Sequence, residues 1–178
     1  MRKLAFSLMI TATLTSAAAP AVADIRSPPV AAPAPGPATD AALKSVSALV
    51  TSYNVVRKAL AADDVAAAKR AASDLAAKAT AAGASYAAGR VQFTEVANAA
   101  TAISKAADIK AARFAFGDAS KSLITAITRD KAFHTGVVCY RCPMAKTYQK
   151  WLQPSDEMGN PYWGAEMLKC GGKVPLVP

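Results

Sequence analysis

The sequence predicts an all-α protein: an up-down-up-down four-helix bundle with an irregular, sulfur-rich C-terminal tail packed on it. Three observations lead there. No proline occurs from Ala38 to Cys142. Within that stretch four apolar stripes recur at helical spacing. At its end and beyond it lie all three cysteines and, once the N-terminal segment is set aside, every methionine.

The N-terminal segment, residues 1–23, reads as an export signal. Arg2 and Lys3 supply a positive start, Leu4 to Leu14 an apolar stretch, and Ala21-Val22-Ala23 a small-residue cleavage site. The stretch is too short and too rich in Thr and Ser to span a bilayer comfortably. Its removal leaves 155 of 178 residues and lowers the formal charge from +9 to +7. That length suits one domain, residues 39–178, and excludes a large multidomain enzyme. No later segment reads as a membrane span, so the expectation is a soluble periplasmic or secreted protein.

Residues 24–38 carry Pro28, Pro29, Pro33, Pro35 and Pro37 among small residues. Such a composition suits an extended linker, since it offers no apolar bulk to bury. The hydrophobic fraction of 53% is largely alanine, and aromatics make up only 7%. Alanine favours helix but buries little area, which points to thin helices packed closely.

Four helices are expected between about residues 40 and 131. Leu43, Val46, Val50, Tyr53 and Leu60 form the first stripe, and Val65, Ala68, Ala72, Leu75 and Ala79 the second. Phe93, Val96, Ala100, Ile103 and Ala107 form the third; Ile109, Ala112, Phe116, Ala119, Leu123 and Ile127 form the fourth. Thr39 or Asp40 should cap the first helix, Asp63 or Asp64 the second, and Asp108 the fourth. Gly83 should end the second. Gly117 is out of place, because glycine inside a helix costs about 1 kcal/mol against alanine. Short connections favour antiparallel neighbours.

The cations Lys44, Arg57, Lys58, Lys69, Arg70, Lys78, Lys105, Lys110, Arg113 and Lys121 are spread over several helices and read as solvated faces. Aromatics are not interleaved with them, so a nucleic-acid surface is not expected. The positive charge suits at most a peripheral approach to anionic membrane surfaces.

The chemistry concentrates in residues 134–172. His134, Cys139, Cys142, Met144, Met158, Met167 and Cys170 lie there, with Trp151, Trp163, Tyr140, Tyr148 and Tyr162. Cys139-Tyr140-Arg141-Cys142 is a C-x-x-C pair, but Pro143 stands where haem attachment needs histidine. An all-helical chain is not the setting of a thioredoxin-like pair, and a structural zinc site would show a second matching pair. Thiolate and thioether sulfurs suit Cu(I) or Ag(I), and imidazole can complete such a site. Cys142 and Met144 would point to one side of an extended segment, and Met167 and Cys170 would align on a helical turn. The expected metal ligands are therefore Cys142, Met144, Met167 and Cys170, with Cys139 and His134 as possible additions. The alternative is a Cys142–Cys170 disulfide, closing a loop of roughly 28 residues and contributing about 3 kcal/mol. Trp151, Tyr162 and Trp163 should bury the tail against the helices. One histidine and no paired carboxylate motif argue against an enzyme.

The run Cys142-Pro143-Met144-Ala145, Trp151-Leu152, Asn160-Pro161-Tyr162-Trp163-Gly164 and Met167-Leu168-Lys169-Cys170-Gly171 resembles the C-terminal signature of a bacterial exported family, domain of unknown function three-three-four-seven. With the alanine-rich helices, the resemblance covers roughly residues 40–172. It implies a helical exported protein, and it places Cys142, Met144, Met167 and Cys170 at the family's sulfur positions. Trp163 stands where the family more often has Phe, and Cys139 lies outside the pattern. The domain also occurs attached to periplasmic adaptor subunits of copper and silver efflux pumps. By analogy this implies heavy-metal handling with such an adaptor as partner. Two readings stay open: a carrier or buffer for Cu(I), or a disulfide-stapled interaction module without metal.

Overall fold

The computed structural model describes residues 37–154 and 156–178. The expected export signal, and the expected linker up to Gly36, lie outside the described residues. Four helices follow in order: α1 (Asp40–Ala61), α2 (Val65–Ser85), α3 (Arg90–Ser104) and α4 (Ile109–Ile127). A 3-10 turn at Lys131–His134 leads to three short strands, β1 (Val138–Arg141), β2 (Lys150–Gln153) and β3 (Gly172–Lys173).

Three of the four helix starts, those of α1, α2 and α4, are fixed by side-chain oxygens that take orphan N–H groups. Thr39 accepts from Ala42, Asp64 from Ala67 and Asp108 from Ala111. Asp63 instead takes a left-handed conformation, φ 59°, in the α1–α2 connection. α1 packs on α2, α2 on α3, and α3 on α4. The middle pair can approach closely because α2 buries Ala68, Ala72, Ala79, Ala82 and Gly83, with Leu75 as its single bulky core residue. Gly83 does not end α2, which runs two residues further; it is buried against the Cβ of Phe93.

The C-terminal region is not irregular throughout, as the sequence led us to expect. It holds a three-stranded antiparallel sheet in the order β2-β1-β3. Tyr140 faces Trp151 across the β1–β2 ladder, and their rings stack at 5.5 Å. From there aromatic rings run without a break into the helices. Trp151 meets Tyr162 at 5.9 Å, Tyr162 meets Phe116 of α4 at 6.0 Å, and Phe116 stacks on Tyr53 of α1 at 4.8 Å. Trp151 and Tyr162 are buried as expected, and Trp163 is half-buried. The β2 N–H of Leu152 donates to the Tyr53 hydroxyl at 3.4 Å, and that hydroxyl lies 2.6 Å from the Ser120 hydroxyl. An edge-strand N–H is thus covered by a helix side chain.

Gly117 finds its explanation in the tail. A Cβ there would run into the Thr147 hydroxyl and lie 2.8 Å from Thr147 Cγ2 and 3.1 Å from Thr147 Cβ. The residue that weakens α4 as a helix is what lets the tail lie on it. We predict that Gly117→Ala destabilises the protein by about 1–3 kcal/mol through overpacking, despite the gain in helix propensity. Urea denaturation checks this; a stabilised variant would refute the close approach.

Candidate functional site

Two arms of the tail bring Cys142 and Cys170 together. Cys142 follows β1, and its N–H continues the ladder by donating to Gln149 O at 3.0 Å. The chain then turns, with Ala145 N–H donating back to Cys142 O at 3.2 Å. Pro143 suits the second position of that turn, its ring fixing φ. Cys142-Pro143-Met144 is therefore not extended, contrary to expectation. Cys142 is fully buried, whereas Met144 is 55% exposed. On the other arm a 3-10 turn at Gly164–Met167 leads to Cys170, whose N–H donates to Met167 O at 2.9 Å. Met167 is half-buried. The two Sγ atoms lie 3.1 Å apart as thiols. The hydrogen bond to Cys142 raises the pKa of the half-buried Cys170, with burial adding to it.

Cys139 does not join them. It lies opposite Leu152 in the ladder, and β-strand alternation sends it to the other face from Tyr140. Burial pushes its thiol up to about 11, only partly opposed by the charge of Lys150. His134 lies in the 3-10 turn after α4, with Nε2 buried and lacking a hydrogen-bond partner among the described residues. No group of three or more His, Cys, Asp or Glu side chains is placed to hold a metal among the described residues. The expected additions Cys139 and His134 are not brought into one such group with Cys142 and Cys170 among the described residues.

The loop carrying Cys170 is organised by Asn160, which is fully buried. Its N–H donates to Leu168 O and its Nδ2 to Cys170 O, each at 2.9 Å; its Oδ1 accepts from Tyr162 N–H at 2.8 Å. The neighbouring carbonyls are held from the helices. Arg57 of α1 donates to Gly159 O at 2.7 Å, and Arg113 of α4 to Pro161 O at 2.9 Å. These two arginines are not solvated-face cations, as the sequence suggested. Arg57 is buried, and the desolvation lowers its pKa. Arg113 also reaches Leu60 O and pairs with Asp63 at 2.5 Å. Asp63 in turn accepts from Ala165 N–H at 2.8 Å.

Gly171, next to Cys170, has φ 132°, and a Cβ there would lie 2.7 Å from Arg141 O. Only glycine lets this arm approach β1. Charge periodicity gave no signal for the arginines, whose loop partners are 102 and 48 residues away. Asn160 stood in the signature, but nothing in the sequence alone gave it a role.

Residues 49–135 match the model of a family described as protein of unknown function (DUF3347). This is the family that the sequence resembles. The match runs from within α1 through the 3-10 turn after α4. The signature at residues 142–171 lies beyond it. No curated protein and no solved structure matches the chain.

The hydrogen bond from Ala165 and the pairing with Arg113 hold the Asp63 carboxyl below the usual aspartate range, against a desolvation that works the other way. A depressed carboxyl stabilises the fold above its unfolded pKa, about 3.9, and the benefit is lost as pH falls through the folded value. Asp63→Asn should therefore be less stable than wild type at pH 6. The exposed half of the carboxylate keeps that difference below about 1 kcal/mol. It should shrink as pH falls below about 4, as urea midpoints over a pH series would show. In the native reduced protein at pH 8, iodoacetamide should modify Cys170 first and leave Cys139 intact until unfolding, as peptide mapping would show.

Proposed function

We propose that this is an exported helical protein that binds a soft metal ion, Cu(I) or Ag(I), through reduced Cys142 and Cys170, as a carrier or buffer. Met144 and Met167 are the flanking thioether donors. The observation that carries this reading is the 3.1 Å approach of two thiols, each within one turn of a methionine. Donor chemistry narrows the ion. A closed zinc site wants four N, S or O ligands. With two thiolates and thioethers, the preference moves to the softest monovalent ions. The fit requires a small opening of the pair: a metal about 2.3 Å from each sulfur at a tetrahedral angle needs them roughly 3.8 Å apart. The exposed turn at Met144 can supply that movement and let the thioether fold over the ion.

The four helices form an up-down-up-down bundle, supported by their short connections and sequential packing. The site of action is the periplasm or the exterior, and a metal-efflux adaptor is the partner that the family resemblance suggests. No helix among the described residues is long and apolar enough to cross a membrane.

A disulfide-stapled interaction module is the second reading. Its favouring observation is that Cys142 is fully buried, and closing the pair to a bridge at about 2.05 Å needs only about 1 Å of movement. Titration of reduced protein with Cu(I), in competition with a chromophoric chelator, separates the two. Metal binding predicts one equivalent bound, abolished by Cys170→Ser and weakened about tenfold by Met144→Ala, a ~1.4 kcal/mol loss with an unchanged thermal midpoint. A wild type that binds no more tightly than the Cys170→Ser variant overturns it. The staple then predicts one free thiol in the unreduced protein and a bridge contribution of about 3 kcal/mol.

A further inference from the structure

We propose that Asn160 is the positioning residue of the Cys142–Cys170 pair, and that Arg57 and Arg113 fix its place from the helices. The inference rests on the reading that the two cysteines act as one pair. It adds what sets their distance.

Cys170 ends a loop that leaves the body of the tail at Asn160. Left free, such a loop would sample many closures at an entropic cost. One buried side chain ties both of its ends. The Asn160 carbonyl accepts from Gly164 N–H at 3.2 Å and its Oδ1 from Tyr162 N–H, which sets the loop's departure. Its N–H to Leu168 O and its Nδ2 to Cys170 O set the return. An amide is required, because one group must both donate and accept. A carboxylate of the same shape would keep the Tyr162 bond but face the Cys170 carbonyl with a second acceptor.

Asn160 is itself located by its neighbours. Arg57 holds Gly159 O and Arg113 holds Pro161 O, so the carbonyls on either side are anchored to α1 and α4. Cys142 sits on the opposite arm, fixed by its ladder bond to Gln149. The distance between the sulfurs is therefore set where these arms meet. Asn160 bonds to the Cys170 carbonyl and not to a sulfur, so its influence is one of position.

The test uses the full chain equilibrated with glutathione at defined ratios of thiol to disulfide. Oxidation removes two protons and two electrons from Cys142 and Cys170. Glutathione disulfide takes them up, becoming two thiols as the Sγ–Sγ bond forms. Alkylation of remaining thiols and peptide mapping give the fraction bridged between Cys142 and Cys170. Asn160→Asp should lower the equilibrium constant for bridge formation about tenfold, the scale of one lost buried hydrogen bond. Arg57→Gln should shift it the same way by a smaller factor. Tyr162→Phe removes a 2.6 Å bond to Lys150 O from the same loop, but it leaves both Asn160 side-chain bonds their partners. It should lower the thermal midpoint while leaving the equilibrium within about twofold.

Wild-type oxidation with an unchanged Asn160→Asp overturns this proposal alone. So does a Tyr162→Phe shift as large as that of Asn160→Asp. If Asn160→Asp fails to fold, Arg57→Gln against Tyr162→Phe decides, and equal effects overturn the proposal. A wild type that forms no Cys142–Cys170 bridge at any ratio, and binds no Cu(I) when reduced, overturns the pair itself.

Discussion

Where α1 meets α4, the ring of Tyr53 lies on that of Phe116, and the docking of the tail depends on that pair. α2 buries mostly alanine, which brings its neighbours' backbones close and leaves little apolar area to spare there. Between α1 and α4 the aromatic pair supplies bulk and a flat surface. Tyr162 and Trp151 extend it outward, and Tyr140 ends it in the sheet. The Tyr53 hydroxyl serves the same joint. Its buried oxygen would be costly without partners, and it has one in Ser120 and one in the Leu152 N–H.

The two arginines extend this dependence from packing to polarity. A buried guanidinium is costly unless its donors are used. Arg57 uses its donors on Asn54 and Gly159 O, and Arg113 on Leu60 O, Asp63 and Pro161 O. Undocking the tail would strip each of a carbonyl partner. The helices and the tail are thus coupled by apolar area and by hydrogen bonds that neither part can satisfy alone. A three-stranded sheet with strands of four, four and two residues has too little of either to stand by itself.

What was legible in the sequence was what depends on local signals. The proline-free stretch, the apolar spacing and the capping residues Thr39, Asp64 and Asp108 act over three or four residues, and they placed the helices. Gly83 misled because its burial against Phe93 depends on another helix, and Gly117 made no sense without Thr147 thirty residues on. The strands were missed because four residues give too short a pattern for alternation to register. At the site, sulfur chemistry and the family resemblance together put Cys142 near Cys170, and the two thiols do lie side by side. It did not reveal that Pro143 turns the chain and turns Met144 out to solvent. Arg57 and Arg113 were misread because a charged residue on an amphipathic helix ordinarily faces water. Their carbonyl acceptors are backbone groups, which leave no trace in side-chain pattern.

Both tryptophans of the chain, Trp151 and Trp163, lie in the tail, and the helices have none. Indole emission therefore reports on the sheet and its loop, while far-ultraviolet ellipticity is dominated by the four helices. The protein carries two optical probes that divide cleanly between its parts. Coincident melting curves from the two would mean that helices and tail unfold in one step. An emission change at lower temperature would time the departure of the tail from an intact helical body. Because the Trp151 ring packs beside Gly171, one residue from Cys170, the same emission gives a label-free view of events at the sulfur pair.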